Sequence, residues 1–177
     1  SQVGGGGIFN AYSALTMTNV TISGNFAPTY GGGIYNDGGN VVAENSVIWG
    51  NGNTNIGTIT NTVYLTHSSK ITSTNSLLEA SGGSTNWIGG EFIDGGNNLD
   101  VDPLFVLPVN LAFVPTIYGN LHLREESPVI DAGDNALLPP GVTFDLDGKP
   151  RIVNGLVDMG PYEGFQYLSY LPIALRE

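Results

Sequence analysis

The sequence predicts an all-β chain, specifically a right-handed parallel β-helix (a solenoid) with an irregular C-terminal cap. The first observation is a repeat: GGGIFNAYSALTMTNVTISGN at residues 5–25 returns as GGGIYNDGGNVVAENSVIWGN at residues 31–51, at an interval of 31 − 5 = 26. A fixed period of this size indicates a repeat architecture. The second observation is alternation within each copy, where apolar Leu15 and Met17 flank polar Thr16. Such alternation is typical of strands.

Equal spacing predicts that equivalent residues of successive coils lie above one another. Parallel pairing would separate the coils by about 4.8 Å. At that distance, asparagine side chains form amide ladders and aromatic rings stack. The stacking residues expected within the repeats are Asn10, Asn36, Asn25, Asn51, Phe9 and Tyr35.

Beyond Gly57 the period becomes less regular. Alternation over residues 58–65 predicts a further strand. The tetrapeptide at 75–78 repeats the pattern of 45–48 at an interval of 75 − 45 = 30, which predicts a four-residue insertion in the third coil.

The domain organisation follows from these changes in composition. Residues 1–98 are predicted to form the coils, including a Gly-, Ser- and Asn-rich loop at 80–98 whose Trp87, Phe92 and Ile93 turn inward. The proline-rich stretch 99–164 is predicted to be the cap that covers the C-terminal end of the stack, because an open end would expose unpaired strand edges. An apolar tail strand is expected over 165–177.

Composition excludes several classes of function. The chain has five Lys and Arg against sixteen Asp and Glu, for a net charge of −11. We therefore expect no binding to nucleic acid, to an anionic membrane surface or to acidic polysaccharides. There is no cysteine, hence no disulfide or thiolate chemistry, and there is no apolar run long enough for a membrane span.

Two groups of motifs resemble known families. The pattern Gly-Gly-Gly-Ile-Tyr/Phe-Asn followed by Asn-x-x-Ile-x-Gly-Asn resembles the repeats of bacterial right-handed β-helix surface proteins, including the polymorphic outer-membrane protein type. The stretches NLDVDPLF (98–105), GNLHLREESPVIDAGD (119–134) and DLDGKPRIVNGLVDMGPYE (145–163) resemble the choice-of-anchor Q domain. The resemblance implies an exported or cell-surface bacterial protein, whose signal peptide has been removed from the chain, and implies no reaction.

The acidic residues of the cap suggest a calcium site. Asp145 and Asp147, followed by Gly148, begin a calcium-loop pattern, and Asp134 could lie nearby. The alternative is that these carboxylates accept hydrogen bonds from turn N–H groups and pair with the basic residues Arg124, Lys149 and Arg151. We expect no other cofactor.

The repeats lack the residues that catalysis requires. Through residue 51 the only acids are Asp37 and Glu44, and there is no Lys or Arg. The histidines, His67 and His122, show neither metal-ligand spacing nor a nucleophile partner. We therefore predict a protein that is not an enzyme, with a carbohydrate-binding or carbohydrate-active (lyase- or hydrolase-like) domain as the alternative.

The two ends of the chain suggest self-association. The first coil has no preceding strand, and the tail is rich in apolar and aromatic residues, an arrangement that favours head-to-tail assembly into open filaments. The alternative is a tail that folds back and completes the cap. The expected tail assembly residues are Tyr167, Tyr170, Leu171 and Ile173. The predicted function is a secreted or cell-surface structural or adhesive module, with self-association or surface glycans as its contacts.

Overall fold

Short β-strands dominate the computed structural model, which describes residues 4–53 and 62–164. The strands are β1 (Ile8–Ala11), β2 (Ala14–Thr18), β3 (Thr21–Ile22), β4 (Ile34–Asp37), β5 (Asn40–Glu44), β6 (Val47–Ile48), β7 (Val63–Thr66), β8 (Lys70–Thr74), β9 (Leu77–Leu78), β10 (Phe92–Asp94), β11 (Phe105–Leu107) and β12 (Asn120–Leu123). The helical parts of the described ranges are the 3-10 turns Leu111–Phe113 and Asn135–Leu137 and the single residue Thr62. No helix in the described ranges has the length and apolar character needed to cross a membrane.

The strands form four sheets. Three are parallel, with strand orders β1-β4-β7, β10-β8-β5-β2 and β3-β6-β9. The fourth is the antiparallel pair β11-β12. Each parallel sheet thus takes one strand from each successive repeat, and we call β1–β3, β4–β6 and β7–β9 the first, second and third layers.

The register of the parallel sheets follows the sequence repeat. Ile8 pairs with Ile34 at 34 − 8 = 26 residues, the interval read from the sequence. In the third layer the offset is 63 − 34 = 29 at Val63 and 70 − 40 = 30 between Asn40 and Lys70. The predicted four-residue insertion is therefore confirmed, and its last residue lies in the turn between β7 and β8.

The prediction of a right-handed parallel β-helix solenoid is wrong. The described strands fall into several short sheets, parallel and antiparallel, and none of these sheets is closed. The physical reason is that the 26-residue period holds for only two copies. The third layer carries extra residues, and the proline-rich part that follows pairs antiparallel instead of adding further layers, because proline lacks the N–H that a ladder requires.

Apolar side chains of alternate strand residues form the main core. Ile34 and Ile71 are fully buried and Val41 nearly so, within a cluster drawn from all three layers. Glycine permits the layers to approach closely, because a Cβ on Gly6 would lie 2.4 Å from the carbonyl oxygen of Gly32. The glycines of the repeat are thus required by backbone contact between layers.

The loop predicted at 80–98 contains a strand that the sequence analysis missed. Phe92 pairs with Ile71, so β10 adds a fourth strand to its sheet. Trp87 and Phe92 pack against the core as expected, whereas Ile93 is 38% exposed and does not turn inward. Of the strand predicted at 58–65, residues 58–61 lie outside the described residues, Thr62 is helical and not strand, and the part from Val63 onward belongs to β7.

The first residue of the predicted cap, Leu99, pairs parallel with Leu77 at the last layer, and a later part of the cap lies beside the layers. The evidence is a column of asparagines with positive φ, Asn19, Asn45 and Asn75, one from each layer. Their side-chain amides donate to the carbonyl oxygens of Asp158 (3.2 Å), Asp134 (2.9 Å) and Ala132 (3.4 Å). Residues 129–160, which we call the flanking segment, therefore contact all three layers from the side.

Candidate functional site

The outward side of the first layer is the candidate functional site. Strands β1, β2 and β3 each stand at the end of their sheet, and within the described ranges each pairs with a strand on one side only. We call this outward side the first-layer edge. An unpaired edge presents free N–H and C=O groups and is a template for another strand.

The ladder of β2 shows which backbone groups are free. Asn40 N donates to Ser13 O at 3.1 Å, and Asn19 N donates to Glu44 O at 3.0 Å. In a parallel pair, the backbone groups of every second residue bond to the neighbouring strand. The N–H and C=O groups of the residues between them point away from that strand. The outward-facing residues of β2 are Ala14, Thr16 and Thr18. The same alternation in β1 and β3 leaves outward the backbone groups of Phe9, Ala11 and Thr21.

Core side chains of the first layer are less covered than their counterparts. Ile34 is 0% exposed and Val41 is 1% exposed in the second layer. Their first-layer equivalents, Ile8 and Leu15, pack against the same core but are only partly buried. An added strand would therefore remove apolar surface from water, which is the dominant favourable term in association.

The amide ladders end at this edge. Asn10 donates to Asn36 Oδ1 at 2.8 Å, and Asn25 donates to Asn51 Oδ1 at 3.0 Å. Asn36, one layer in, has its oxygen satisfied by Asn10, whereas no described donor reaches Oδ1 of Asn10 or Asn25. These two oxygens are available to an incoming donor.

An aromatic row also begins at the edge. Phe9 stacks on Tyr35 with ring centroids 5.4 Å apart, Tyr35 contacts Tyr64 at 5.3 Å, and Tyr64 stacks on Tyr30 at 4.1 Å. Phe9 is 50% exposed and stands at the end of the row. Such pairs contribute beyond their buried area.

Unsatisfied polar atoms are a further property of the first layer. Asn19 Oδ1 and Ser23 Oγ are buried and lack a hydrogen-bond partner. In the second layer Asn45 Oδ1 accepts from Asp134 N at 2.8 Å, so the equivalent atom there is satisfied. Leaving a buried acceptor unpaired costs about 1–3 kcal/mol.

Exposed apolar side chains flank the edge at two places. Beside Asn25, a cleft of about 350 Å³ is lined by Ile117 and Tyr118, which are 96% and 83% exposed. The loop that carries them is held by a hydrogen bond from Thr116 N to Gly24 O of 3.0 Å. Near Thr18 and Asn19, a second group consists of Val142, Phe144 and Leu146, which are 40%, 64% and 70% exposed.

The edge carries no formal charge. Residues 1–36 contain no Asp, Glu, Lys or Arg, although the whole chain has a net charge of −11. The acidic residues begin at Asp37, in the second layer. Carboxylates nevertheless lie close to the edge, because Thr18 Oγ1 donates to Glu44 Oε2 at 3.2 Å and Asp145 lines the cleft beside Thr18 and Asn19.

The structure places the predicted calcium residues in turns. Asp145 accepts from the backbone N–H groups of Asp147, Lys149 and Glu163 at 2.9, 2.8 and 3.0 Å. Asp134 begins a 3-10 turn and accepts from Ala136 N at 2.8 Å. These contacts match the turn-capping alternative.

The side-chain carboxylate of Asp147 contacts Lys149 and the imidazole of His122. Its Oδ2 lies 2.9 Å from Lys149 Nζ and 2.9 Å from His122 Nε2. Hydrogen bonds from Lys149 and His122 lower the pKa of Asp147. Among the residues that the structure describes, no three His, Cys, Asp or Glu side chains group in a way that could hold a metal ion. Calcium binding stays a prediction.

The sequence analysis missed a buried ionic cluster. Arg151 (2% exposed) pairs with Glu163 at 2.9 Å and donates to the carbonyl oxygen of Asp158 at 2.9 Å. Burial raises the pKa of Glu163 to about 8 and that of Asp158 to about 6. No pattern in the sequence marks Arg151 for burial or Glu163 as its partner.

The tail residues named in the assembly prediction, Tyr167, Tyr170, Leu171 and Ile173, lie outside the described residues. No protein-family model, curated protein or solved structure matches the chain. The resemblance to β-helix surface proteins and to the choice-of-anchor Q domain therefore stays a prediction, and function must be argued from the edge itself.

Proposed function

We propose that this chain is a secreted or cell-surface, non-catalytic structural or adhesive module that associates with further copies through its first-layer edge. The observation that carries the proposal is that three strands without charged residues, each paired on one side only among residues 4–53 and 62–164, lie next to exposed apolar side chains in an acidic molecule. Exposed apolar surface next to open strand edges is typical of an interaction site. The non-catalytic and extracellular parts rest on the sequence alone.

Protection against pairing is missing from this edge. Soluble proteins shield edge strands with lysine, proline or bulges. Strands β1, β2 and β3 contain none of the charged residues and no proline, and the parallel registers of β1 and β2 run without a bulge. Thr16 and Thr18 are also good strand formers. The first-layer edge is thus suited to pairing.

A proline at Thr16 tests the proposal. Thr16→Pro removes an outward N–H that no described residue uses, so it should leave the ladder to β5 intact. We expect sedimentation velocity over about 1 to about 500 µM to show association of the parent chain and a Kd weaker by about tenfold or more for the variant.

Thr16→Val is the matched control, since it keeps the N–H and the strand preference and should associate as the parent does. Unfolding curves for each protein establish that both variants are folded. A parent chain that stays monomeric over the whole range would contradict the proposal.

The aromatic row favours binding of an uncharged glycan as a second candidate function. The rings of Phe9, Tyr35, Tyr64 and Tyr30 form a continuous row next to the edge, and aromatic rings supply apolar contact together with polar hydroxyls. The net charge of −11 disfavours acidic polysaccharides.

Calorimetric titration with neutral and with acidic polysaccharides tests this candidate. We expect binding of the neutral polymer only, and a loss of about tenfold or more in affinity for Tyr35→Leu, which interrupts the row while keeping an apolar side chain. Ile93→Leu, on the exposed part of β10, is the control. Equal binding by Tyr35→Leu and the parent would eliminate the row as the site.

A further inference from the structure

A cleft of about 550 Å³ separates the end of the parallel sheets from the flanking segment. One wall is formed by Pro128 and, from the flanking segment, by Ala132 and Met159. The opposite wall is formed by residues 82–85 and 97–101, which follow the third layer. Sites for small molecules commonly have volumes of roughly 300–1,000 Å³, so the cleft is large enough for a ligand.

Hydrogen bonds hold the walls of the cleft in place. Ser84 N donates to Asn98 O at 3.0 Å, and Asn98 N donates to Ser84 Oγ at 2.8 Å, which joins the two loop segments of one wall. On the other wall, Met159 N donates to Val129 O at 3.1 Å. Because the walls are fixed by the fold, a ligand that enters loses little free energy to ordering them.

Asp100 supplies a carboxylate to the lining of this cleft. Its Oδ1 accepts from Ala80 N at 2.9 Å and its Oδ2 accepts from Gly82 N at 2.8 Å. These bonds fix the carboxylate, and each oxygen keeps a further position at which it can accept. None of the described residues that line the cleft is Lys, Arg or His, and no described base forms an ion pair with Asp100.

The surroundings of Asp100 favour a positive ligand. Burial raises the pKa of Glu79, and the charge of Asp100 raises it further, so the two carboxylates are close enough to repel each other. The net charge of −11 adds a long-range attraction for cations. An anionic ligand would find no basic side chain in the described lining to pair with.

Apolar side chains line the cleft together with this carboxylate. Leu99 and Val101 are the chain neighbours of Asp100, and Pro128 and Met159 belong to the opposite wall. Aliphatic stems of cationic side chains bury their methylene groups on such surfaces while the charged head binds a polar partner. A planar guanidinium can donate two parallel hydrogen bonds to the two oxygens of a carboxylate.

We propose that this cleft binds a guanidinium or ammonium cation on an aliphatic stem, with the cation on the Asp100 carboxylate and the stem along Leu99, Val101 and Pro128. The site lies apart from the first-layer edge and does not depend on self-association, so it goes beyond the proposed function. Two sources offer this chemistry, a free small cation and the Arg or Lys side chain of a peptide.

Calorimetric titration of the full chain with n-butylguanidinium tests the requirement for charge. The matched ligand is n-butylurea, which has the same stem and a planar head without charge, and we expect its Kd to be weaker by about tenfold or more. An acetylated and amidated Gly-Arg-Gly peptide distinguishes the sources. Affinity at least equal to that of n-butylguanidinium supports a peptide side chain as the ligand, and weaker binding supports a free cation.

Asp100→Asn should weaken the binding of n-butylguanidinium by about tenfold or more. Asp102→Asn is the matched control and should bind as the parent does, because Asp102 accepts from Leu104 N and is not part of the lining. Unfolding curves establish that both variants are folded. In NMR spectra of the parent, a measurement that needs no variant, n-butylguanidinium should shift the backbone amide signals of Ala80 and Gly82, which bond to Asp100.

Three results would overturn the cation site. The first is no binding of n-butylguanidinium by the parent chain, and the second is equal affinity for n-butylguanidinium and n-butylurea. The third is binding that leaves the amide signals of Ala80 and Gly82 unchanged. None of these results bears on self-association, which sedimentation of the parent chain measures separately.

Discussion

At the scale of single residues, the environment of Arg151 sets the pH behaviour of the chain. One guanidinium lies among three carboxyl groups, those of Asp145, Asp158 and Glu163, which act on its pKa. Burial lowers the pKa of Arg151 and raises that of Glu163 to about 8. Because one buried positive charge faces three carboxyl groups, the cluster is more stable when one carboxyl group keeps its proton.

The raised pKa of Glu163 therefore predicts that the stability of the fold decreases as the pH rises. Its pKa is raised in the folded chain, so the folded state binds more protons than the unfolded state between about pH 4.5 and about pH 8. The stabilisation that protonated Glu163 contributes is fully present below about pH 4.5 and is lost as the pH rises through about 8. We expect the free energy of unfolding, measured with urea, to fall by about 1–2 kcal/mol from about pH 5 to about pH 8.

Glu163→Gln supplies the control for this pH dependence. The amide resembles a protonated carboxyl and does not titrate, so the fall in stability should become shallower in the variant. Asp158, whose pKa is raised to about 6, still titrates and should leave a smaller fall at the lower end of the range. A variant with the same pH profile as the parent would contradict the assignment to Glu163.

At the scale of elements, the hydrogen bonds of Asn45 join the flanking segment to the layers. Its side chain exchanges two hydrogen bonds with the backbone of Asp134, and its carbonyl oxygen accepts from Gly160 N at 2.7 Å. Because Asn45 has a positive φ, Asn45→Gly removes the amide without backbone strain.

We expect Asn45→Gly to destabilise the fold by about 1–3 kcal/mol, since two backbone groups of Asp134 lose their partner. Hydrogen exchange of the Asp134 amide should accelerate. Asn75→Gly is the matched control, because its amide makes one longer bond of 3.4 Å to Ala132 O and should cost less. Equal losses in the two variants would show that the Asn45 bonds are not special.

The sequence predicted the elements of the repeats well. Periodicity is a local signal, and the 26-residue interval places Ile8 opposite Ile34 without knowledge of the rest of the chain. The 30-residue interval likewise located the insertion in the third layer. The extrapolation from two copies to a solenoid was wrong. The later strands do not follow the repeat, because their positions depend on contacts that have no period in the sequence.

The position of the flanking segment and the edge contacts could not be predicted from the sequence. The bond between Asn19 and Asp158 joins residues far apart in sequence, and no pattern marks either partner. The pairing of Arg151 with Glu163 depends on burial, which composition does not report. The calcium-like spacing of Asp145 and Asp147 arose from a turn, because Asx turns use the same short spacing of carboxylates.

At the scale of the whole molecule, charge is segregated. All Asp, Glu, Lys and Arg residues lie from position 37 onward, and the net charge of −11 belongs to that part. Two associating copies therefore repel at long range, although strands β1, β2 and β3 themselves carry no charged residue.

Salt should consequently strengthen association. At an ionic strength of about 0.1 M the Debye length is about 10 Å, which screens charges that stand back from the contact. We expect the Kd of self-association, measured by sedimentation, to decrease by about threefold or more between about 20 mM and about 200 mM NaCl. A Kd that increases with salt would indicate ion pairs at the interface and would argue against the uncharged edge.

The column formed by Asn19, Asn45 and Asn75 has a mechanical consequence. Stacked repeats commonly fray from a terminal layer, because each layer is held only by its neighbour. Here the flanking segment is hydrogen-bonded to all three layers. The first layer therefore cannot separate from the others without breaking the hydrogen bond between Asn19 and Asp158. The edge strands are thus held in a fixed arrangement before a partner binds. The conformational entropy of ordering them is lost during folding and not on binding.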